Sequence, residues 1–257
     1  MASWDQRGNV WGAPPGASGA VSRIEERLSF LKRVYGLFTG SVLFSAIGAL
    51  IALNAGVSSS HATYAVGHVQ KTVPPLVAFF GQHYIIGSII MILSIFGAYA
   101  VRHVRGLNLL ALFGMASTIG VVIAPSLFIA TVAAGAGATL SSAPVRDAFV
   151  LAVVCFSGLT GYALTTKKDF SYLGGGLTMG LFVLIGASLL NIFLGSSILG
   201  LAIASVSVLA FGGFVLYDTS KILHGNQEDA VSAAIELYLD FLNLFLALLR
   251  ILSRRSD

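Results

Sequence analysis

Three carboxylic acids lie inside stretches that are otherwise apolar: Asp218 in Leu216-Tyr217-Asp218-Thr219, then Glu236 and Asp240 in the run from Val231 to Leu252. A charged group at the centre of a bilayer costs about 2.5–3.5 kcal/mol on insertion scales, so an acid in such a place needs a reason. Glu236, Asp240 and Asn243 are spaced by four and three, which puts them on one face of a helix. Two carboxyls that meet away from water cannot both ionise cheaply. Such a pair holds one proton between its members, or offers oxygens to a hard cation such as calcium. Asp218 and Asp240 are the candidate pair. Glu236 stands nearer the start of its helix, where solvation is cheap, and it and Asn243 are auxiliary candidates. Arg102 is a cation at a comparable depth. The histidines are weaker: His83 reads as interfacial, and His61, His68, His103 and His224 fall in loops without metal-ligand spacing. The lone Cys155 excludes a disulfide framework and a cysteine-based zinc cluster, and reads as packing.

The elements that must position these groups are visible in the spacing of charge. The 257 residues carry only 15 Lys+Arg and 11 Asp+Glu, 10% of the chain, and 56% are hydrophobic. A soluble domain of this length could not cover so much apolar surface, which excludes a soluble enzyme and a disordered chain. No Asp, Glu, Lys or Arg lies between Val34 and Gln70, Thr72 and Val101, Gly106 and Val145, Ala148 and Thr166, or Phe170 and Tyr217. A helix needs about 20 apolar residues to cross a hydrocarbon core of about 30 Å. The pattern predicts an all-α integral membrane protein with six clear spans, Val34–Leu53, Leu76–Val101, Leu107–Ala130, Ala148–Leu164, Tyr172–Phe193 and Ile198–Leu216. A turn at Gly195-Ser196-Ser197 divides the last two. A seventh span, Val231–Leu252, is apolar nearly all round, as a helix buried among others must be. Residues 1–22 read as a disordered tail and 23–257 as the seven-helix domain. Asn54–Pro75 reads as the longest loop, Ala133–Pro144 as a small-residue loop, and Pro125 as a kink in the third span.

Arg23, Arg27, Lys32 and Arg33 precede the first span, and Arg102, Arg105, Lys167, Lys168 and Lys221 follow the second, fourth and sixth. The opposite loops carry only Lys71 and Arg146, which places the N-terminus in the cytoplasm. Seven spans leave Arg254 and Arg255 outside; six spans with a re-entrant last segment would keep them inside. Because the basic residues edge apolar segments, the net charge of +4 is an orientation signal and implies no nucleic-acid partner. The sixth span ends, and the seventh begins, on the cytoplasmic side. Asp218 can therefore face the acids of the seventh, one to two turns below that surface.

Three motifs resemble the Bax inhibitor-1 (transmembrane Bax inhibitor motif) family, and most closely its bacterial branch. They are Gly161-Tyr162-Ala163-Leu164-Thr165-Thr166-Lys167-Lys168-Asp169-Phe170-Ser171, then Leu216-Tyr217-Asp218-Thr219-Ser220-Lys221-Ile222, then Leu237-Tyr238-Leu239-Asp240-Phe241-Leu242-Asn243-Leu244-Phe245 running on to Arg250. The resemblance covers roughly Glu26 to Arg255. It implies a last helix that is central and surrounded by the other six, and a pH-sensitive calcium leak sensed by Asp218 and Asp240, which are also tentative calcium ligands. It implies that Arg102 latches onto Asp218, and it points to the bacterial inner membrane. Glu236 stands where the family pattern looks small or hydroxylated, and so adds a third acid.

These features lead to a calcium-leak channel that is not an enzyme. Its partners are the lipid bilayer, calcium and protons, with no cofactor beyond calcium as the moving ion. The alternative is a membrane interaction protein that modulates membrane proteases, quality control or cell death. A third reading, an aspartyl protease of the presenilin type, fits poorly: Leu237-Tyr238-Leu239 precedes Asp240 where that group has glycines, and no proline follows Pro144.

Overall fold

A computed structural model describes residues 17–56, 63–66, 69–135, 144–166, 168–224 and 229–253. Its elements in chain order are α1 (Ala17–Asn54), a hairpin of β1 (Thr63–Val66) and β2 (Val69–Thr72), α2 (Pro75–Gln82), α3 (Tyr84–Ala100), α4 (Leu107–Ala133), α5 (Val145–Thr165), a 3-10 turn (Ser171–Leu173), α6 (Gly174–Leu194), α7 (Ser197–Leu223) and α8 (Ala230–Ser253). Residues 1–16, most of the expected tail, lie outside the described residues, as do 136–143, most of the expected small-residue loop.

Five stretches are long and apolar enough to cross a bilayer: Glu25–Asn54, Leu107–Ala133, Val145–Thr165, Ser171–Leu194 and Ser197–Leu223. The protein is thus an all-helical, multi-pass membrane protein. Its outward surface agrees, with Phe96, Leu110, Met179, Phe182, Phe193, Ile198 and Leu209 all exposed, an amount of apolar surface that only lipid can cover.

The structure departs from the expected spans in three places. The single second span Leu76–Val101 is broken: α2 and α3 meet at His83 with a bend of 96°. The His83 backbone leaves the helical region (φ −112°, ψ 51°), and its N–H closes α2 on Phe79 O. The loop Asn54–Pro75 contains the antiparallel hairpin, pairing Thr63 with Thr72 and Val66 with Val69. The last helix, α8, is 24 residues long but falls outside the set of plainly apolar spans, because Glu236, Asp240 and Arg250 lie within it. The expected turn after α6 is present. Gly195 takes the left-handed conformation (φ 59°) that ends α6, and the Ser196 side chain caps α7 by accepting from Leu199 N. Helix α4 runs unbroken through Pro125.

Helix α8 is the most buried: most of its residues are inside, against Leu184 alone on α6. It packs on α1, α4, α5 and α7, while α3 joins the bundle chiefly through α4, and α6 through α7. Four helices, not six, therefore form its principal surround. Phe38 of α1 stacks on Phe156 of α5 at 4.7 Å, and Phe241 of α8 meets both rings edge-on at 5.8 and 5.7 Å. Helices α1 and α4 approach until backbones touch. A Cβ at Gly48 would run into the Ser117 carbonyl, and one at Gly120 into that of Ser45. Small residues at such crossings let helices pack without a hydrophobic driving force between them.

Candidate functional site

The site forms where α7 ends and α8 begins. Asp229 opens α8 by accepting from Val231 N (3.3 Å), Ser232 N (3.0 Å) and Ser232 Oγ (2.6 Å), which is the role of a helix N-cap. Partial burial opposes ionisation of this carboxyl, but the bonds from Ser232 and Val231 outweigh it and hold its pKa below the usual value. The cap fixes the entry of α8 beside the last turns of α7.

Inside this corner lie the two aspartates. Asp218 is 6% exposed and Asp240 5%, one on each of two helices that pack against each other. Asp240 Oδ2 is buried and has no donor among the described residues. Lys221, one turn beyond Asp218 on α7, reaches Asp218 Oδ1 at 3.3 Å and Glu236 Oε2 at 3.0 Å. Its Nζ also lies 5.3 Å from the centre of the Tyr217 ring. Three acids and one lysine thus close the α7–α8 seam. Tyr217 in turn lies against Gly174, where a Cβ would sit 2.8 Å from the ring, so the glycine at the start of α6 brings that helix onto the same corner.

The connection between α5 and α6 roofs the cluster. Ser220 Oγ accepts from Phe170 N (2.9 Å) and donates to Asp169 Oδ1 (3.0 Å), and His224 Nδ1 lies 3.8 Å from the same oxygen. The hydroxyl and N–H of Ser171, at 2.6 and 2.9 Å, add to these. Together, with the Ser171 bonds foremost, they pull the Asp169 pKa down from 3.8 to about 2. Arg27 Nη1 donates to Leu223 O at 3.0 Å, tying the start of α1 to the end of α7. The first turns of α1, the α5–α6 connection and the α7–α8 corner therefore share one end of the bundle.

Two of the sequence candidates stand elsewhere. Arg102 does not reach Asp218: its Nε donates to His103 Nε2 at 2.9 Å, and its guanidinium lies 5.9 Å from the centre of the Tyr99 ring. The cation at Asp218 is Lys221. Asn243 donates to Leu239 O at 2.7 Å and lines a cavity of about 680 Å³ between α4, α6, α7 and α8, on the other side of Asp240 from the cluster. Among the described residues, no group of three or more His, Cys, Asp or Glu is arranged to hold a metal ion.

With this geometry in place, comparison with known proteins decides the lineage. The family model described as "Inhibitor of apoptosis-promoting Bax1" matches residues 27–257. The chain belongs to the Bax inhibitor-1 family. An uncharacterised membrane protein of Vibrio cholerae is 35% identical, with 91% of this chain and 93% of the relative covered. Protein lifeguard 4 of Mus musculus is 33% identical over 92% and 90%, and the Golgi anti-apoptotic protein of vaccinia virus 32% over the same shares. This Bax inhibitor-1 family member therefore matches bacterial, mammalian and viral relatives along nearly its whole length.

Sequence reasoning missed Lys221 and Ser220 as site residues. Lys221 was counted among the orienting charges. Its spacing of three from Asp218 on a helix is the signal that finds it.

Proposed function

We propose that the protein is a pH-sensitive calcium leak, gated at the α7–α8 seam. The observation that carries this reading is the burial of Asp218 and Asp240, 6% and 5% exposed, on the two helices that Lys221 ties together. In the closed arrangement they share a proton, and Lys221 ties Asp218 to Glu236 across the two helices. A second proton neutralises Asp218, removes its hold on Lys221, and lets α7 and α8 part. The Asp240 carboxyl then offers oxygens to a passing calcium ion, the ligand type that calcium prefers. Arg102, now held beside the Tyr99 ring, is the latch that takes Asp218 when the lysine lets go. Helix α8 is the seventh crossing. The end bearing Arg27, Arg102, Lys168 and Lys221 faces the cytoplasm, and the membrane is the bacterial inner membrane.

Calcium flux into dye-loaded liposomes, measured against pH, tests the sensor. The parent protein should show a pH-dependent leak and the Asp218→Asn/Asp240→Asn protein a leak that pH no longer changes; unchanged pH dependence in the variant would sink the reading. A second reading, an interaction protein at the membrane, draws on the anti-apoptotic name of the vaccinia relative. Removal of residues 1–16 should leave a leak intact and would abolish a contact made by the tail.

A further inference from the structure

The cavity of about 680 Å³ has a charge pattern of its own. Arg250, in the last turn of α8, is the one charged side chain lining it, and among the described residues no acid pairs with that guanidinium. The guanidinium is seated by design of its neighbour: a Cβ at Gly200 of α7 would meet Arg250 Nη2, and the Asn191 amide of α6 lies 3.2 Å from the same point. Asn191 Oδ1 and Ser253 Oγ, both at this corner, are buried without a partner among the described residues. Buried polar atoms left open in this way are places where water or a ligand can bind.

The dimensions say what kind of ligand. Along α8 the lining runs from Asn243 to Ser253, about 15 Å at 1.5 Å per residue, or half of a hydrocarbon core of about 30 Å. The cation stands at the outer end, near the end of its helix. Ile203, Phe211 and Leu246 line the stretch below it. A volume of this size falls in the range of small-molecule pockets.

We infer that the cavity between α4, α6, α7 and α8 binds a membrane lipid with an anionic headgroup, its phosphate on Arg250 and one acyl chain along Leu246 and Phe211 toward Asn243. The site lies away from the acid cluster, and its occupancy does not depend on whether the protein conducts calcium.

Native mass spectrometry of the protein in neutral detergent tests the site, with dioleoyl phosphatidylglycerol, dioleoyl phosphatidylcholine and inorganic phosphate as separate probes. Phosphatidylglycerol should bind about fivefold more tightly than phosphatidylcholine, the effect of one basic side chain on an anionic lipid. Arg250→Gln should erase that difference. Gly200→Ala, which keeps the charge but displaces the guanidinium, should reduce it. Equal binding of the two lipids, or binding of inorganic phosphate as tight as that of phosphatidylglycerol, overturns the proposal. Should Arg250→Gln fail to fold, the parent protein still decides: a phosphatidylglycerol with a photoreactive acyl chain should label the segments around Phe211 and Leu246, and labelling confined to other segments overturns it.

Discussion

Two helix pairs hold this protein together by opposite means. Helices α1 and α4 meet backbone to backbone, Gly48 under the Ser117 carbonyl and Gly120 under that of Ser45. Helices α7 and α8 meet through Asp218, Asp240, Glu236 and Lys221. The first contact is set by shape, and nothing in it changes with solution conditions. The second is set by charge, three carboxyls around one ammonium, and is where we place the proposed gate. The molecule thus joins a crossing held by shape to a seam held by charge, and α8 touches both through its contacts with α1 and α7.

Substitution at the fixed crossing should give the largest effect. Gly48→Val places two methyl groups against a backbone carbonyl that cannot move aside, and should cost about 3 kcal/mol, read as a fall in the unfolding midpoint in mild detergent. A midpoint near that of the parent would show that α1 and α4 do not pack as described. At the seam, Lys221→Met removes the ammonium that bridges Asp218 and Glu236. Losing one partner of a buried pair is strongly destabilising, but Lys221 is 20% exposed, so a loss of about 2 kcal/mol is expected. Adding Glu236→Gln to Lys221→Met should recover part of it, and strict additivity in that double-mutant cycle would mean that the two side chains are not coupled.

The smallest effect belongs to the roof of the seam. The pKa of Asp169 is about 2 when folded against 3.8 as reference. A depressed folded value means that the ionised form is the one the structure favours. Its contribution is therefore complete above the reference value and is lost as pH falls through the folded one. The difference in unfolding midpoint between the parent and Asp169→Asn should be small and constant above about pH 5 and shrink toward pH 2. A difference that grew on acidification would contradict these hydrogen bonds.

Much of this contrast was legible in the sequence, but unevenly. The acids stood out because each interrupts an apolar run, and the spacing of Glu236 and Asp240 placed both on one face of α8. The turn at Gly195-Ser196 was legible because a left-handed residue followed by a capping serine has a local signature. The break at His83 was not, since Leu76–Tyr99 carries no Asp, Glu, Lys or Arg and hydropathy carries no record of direction; the local hint is the cluster Gly81-Gln82-His83. The hairpin was hidden for another reason, its two strands being only four residues each. Within the site, the lysine escaped because a cation at a helix end already has an explanation as an orienting charge. The position of Arg102 depended on its immediate neighbour: His103 and Tyr99 hold the guanidinium, and long-range pairing cannot be read from chain order.

The bend at His83 also reaches beyond the protein. Helix α3 has only 17 residues, about 25 Å, which is several Å less than the core of an average bilayer. Were it to cross by itself, the lipids beside it would have to shorten, each Å at a modest energetic cost, and a thinner host bilayer should then suit the protein better than a thick one.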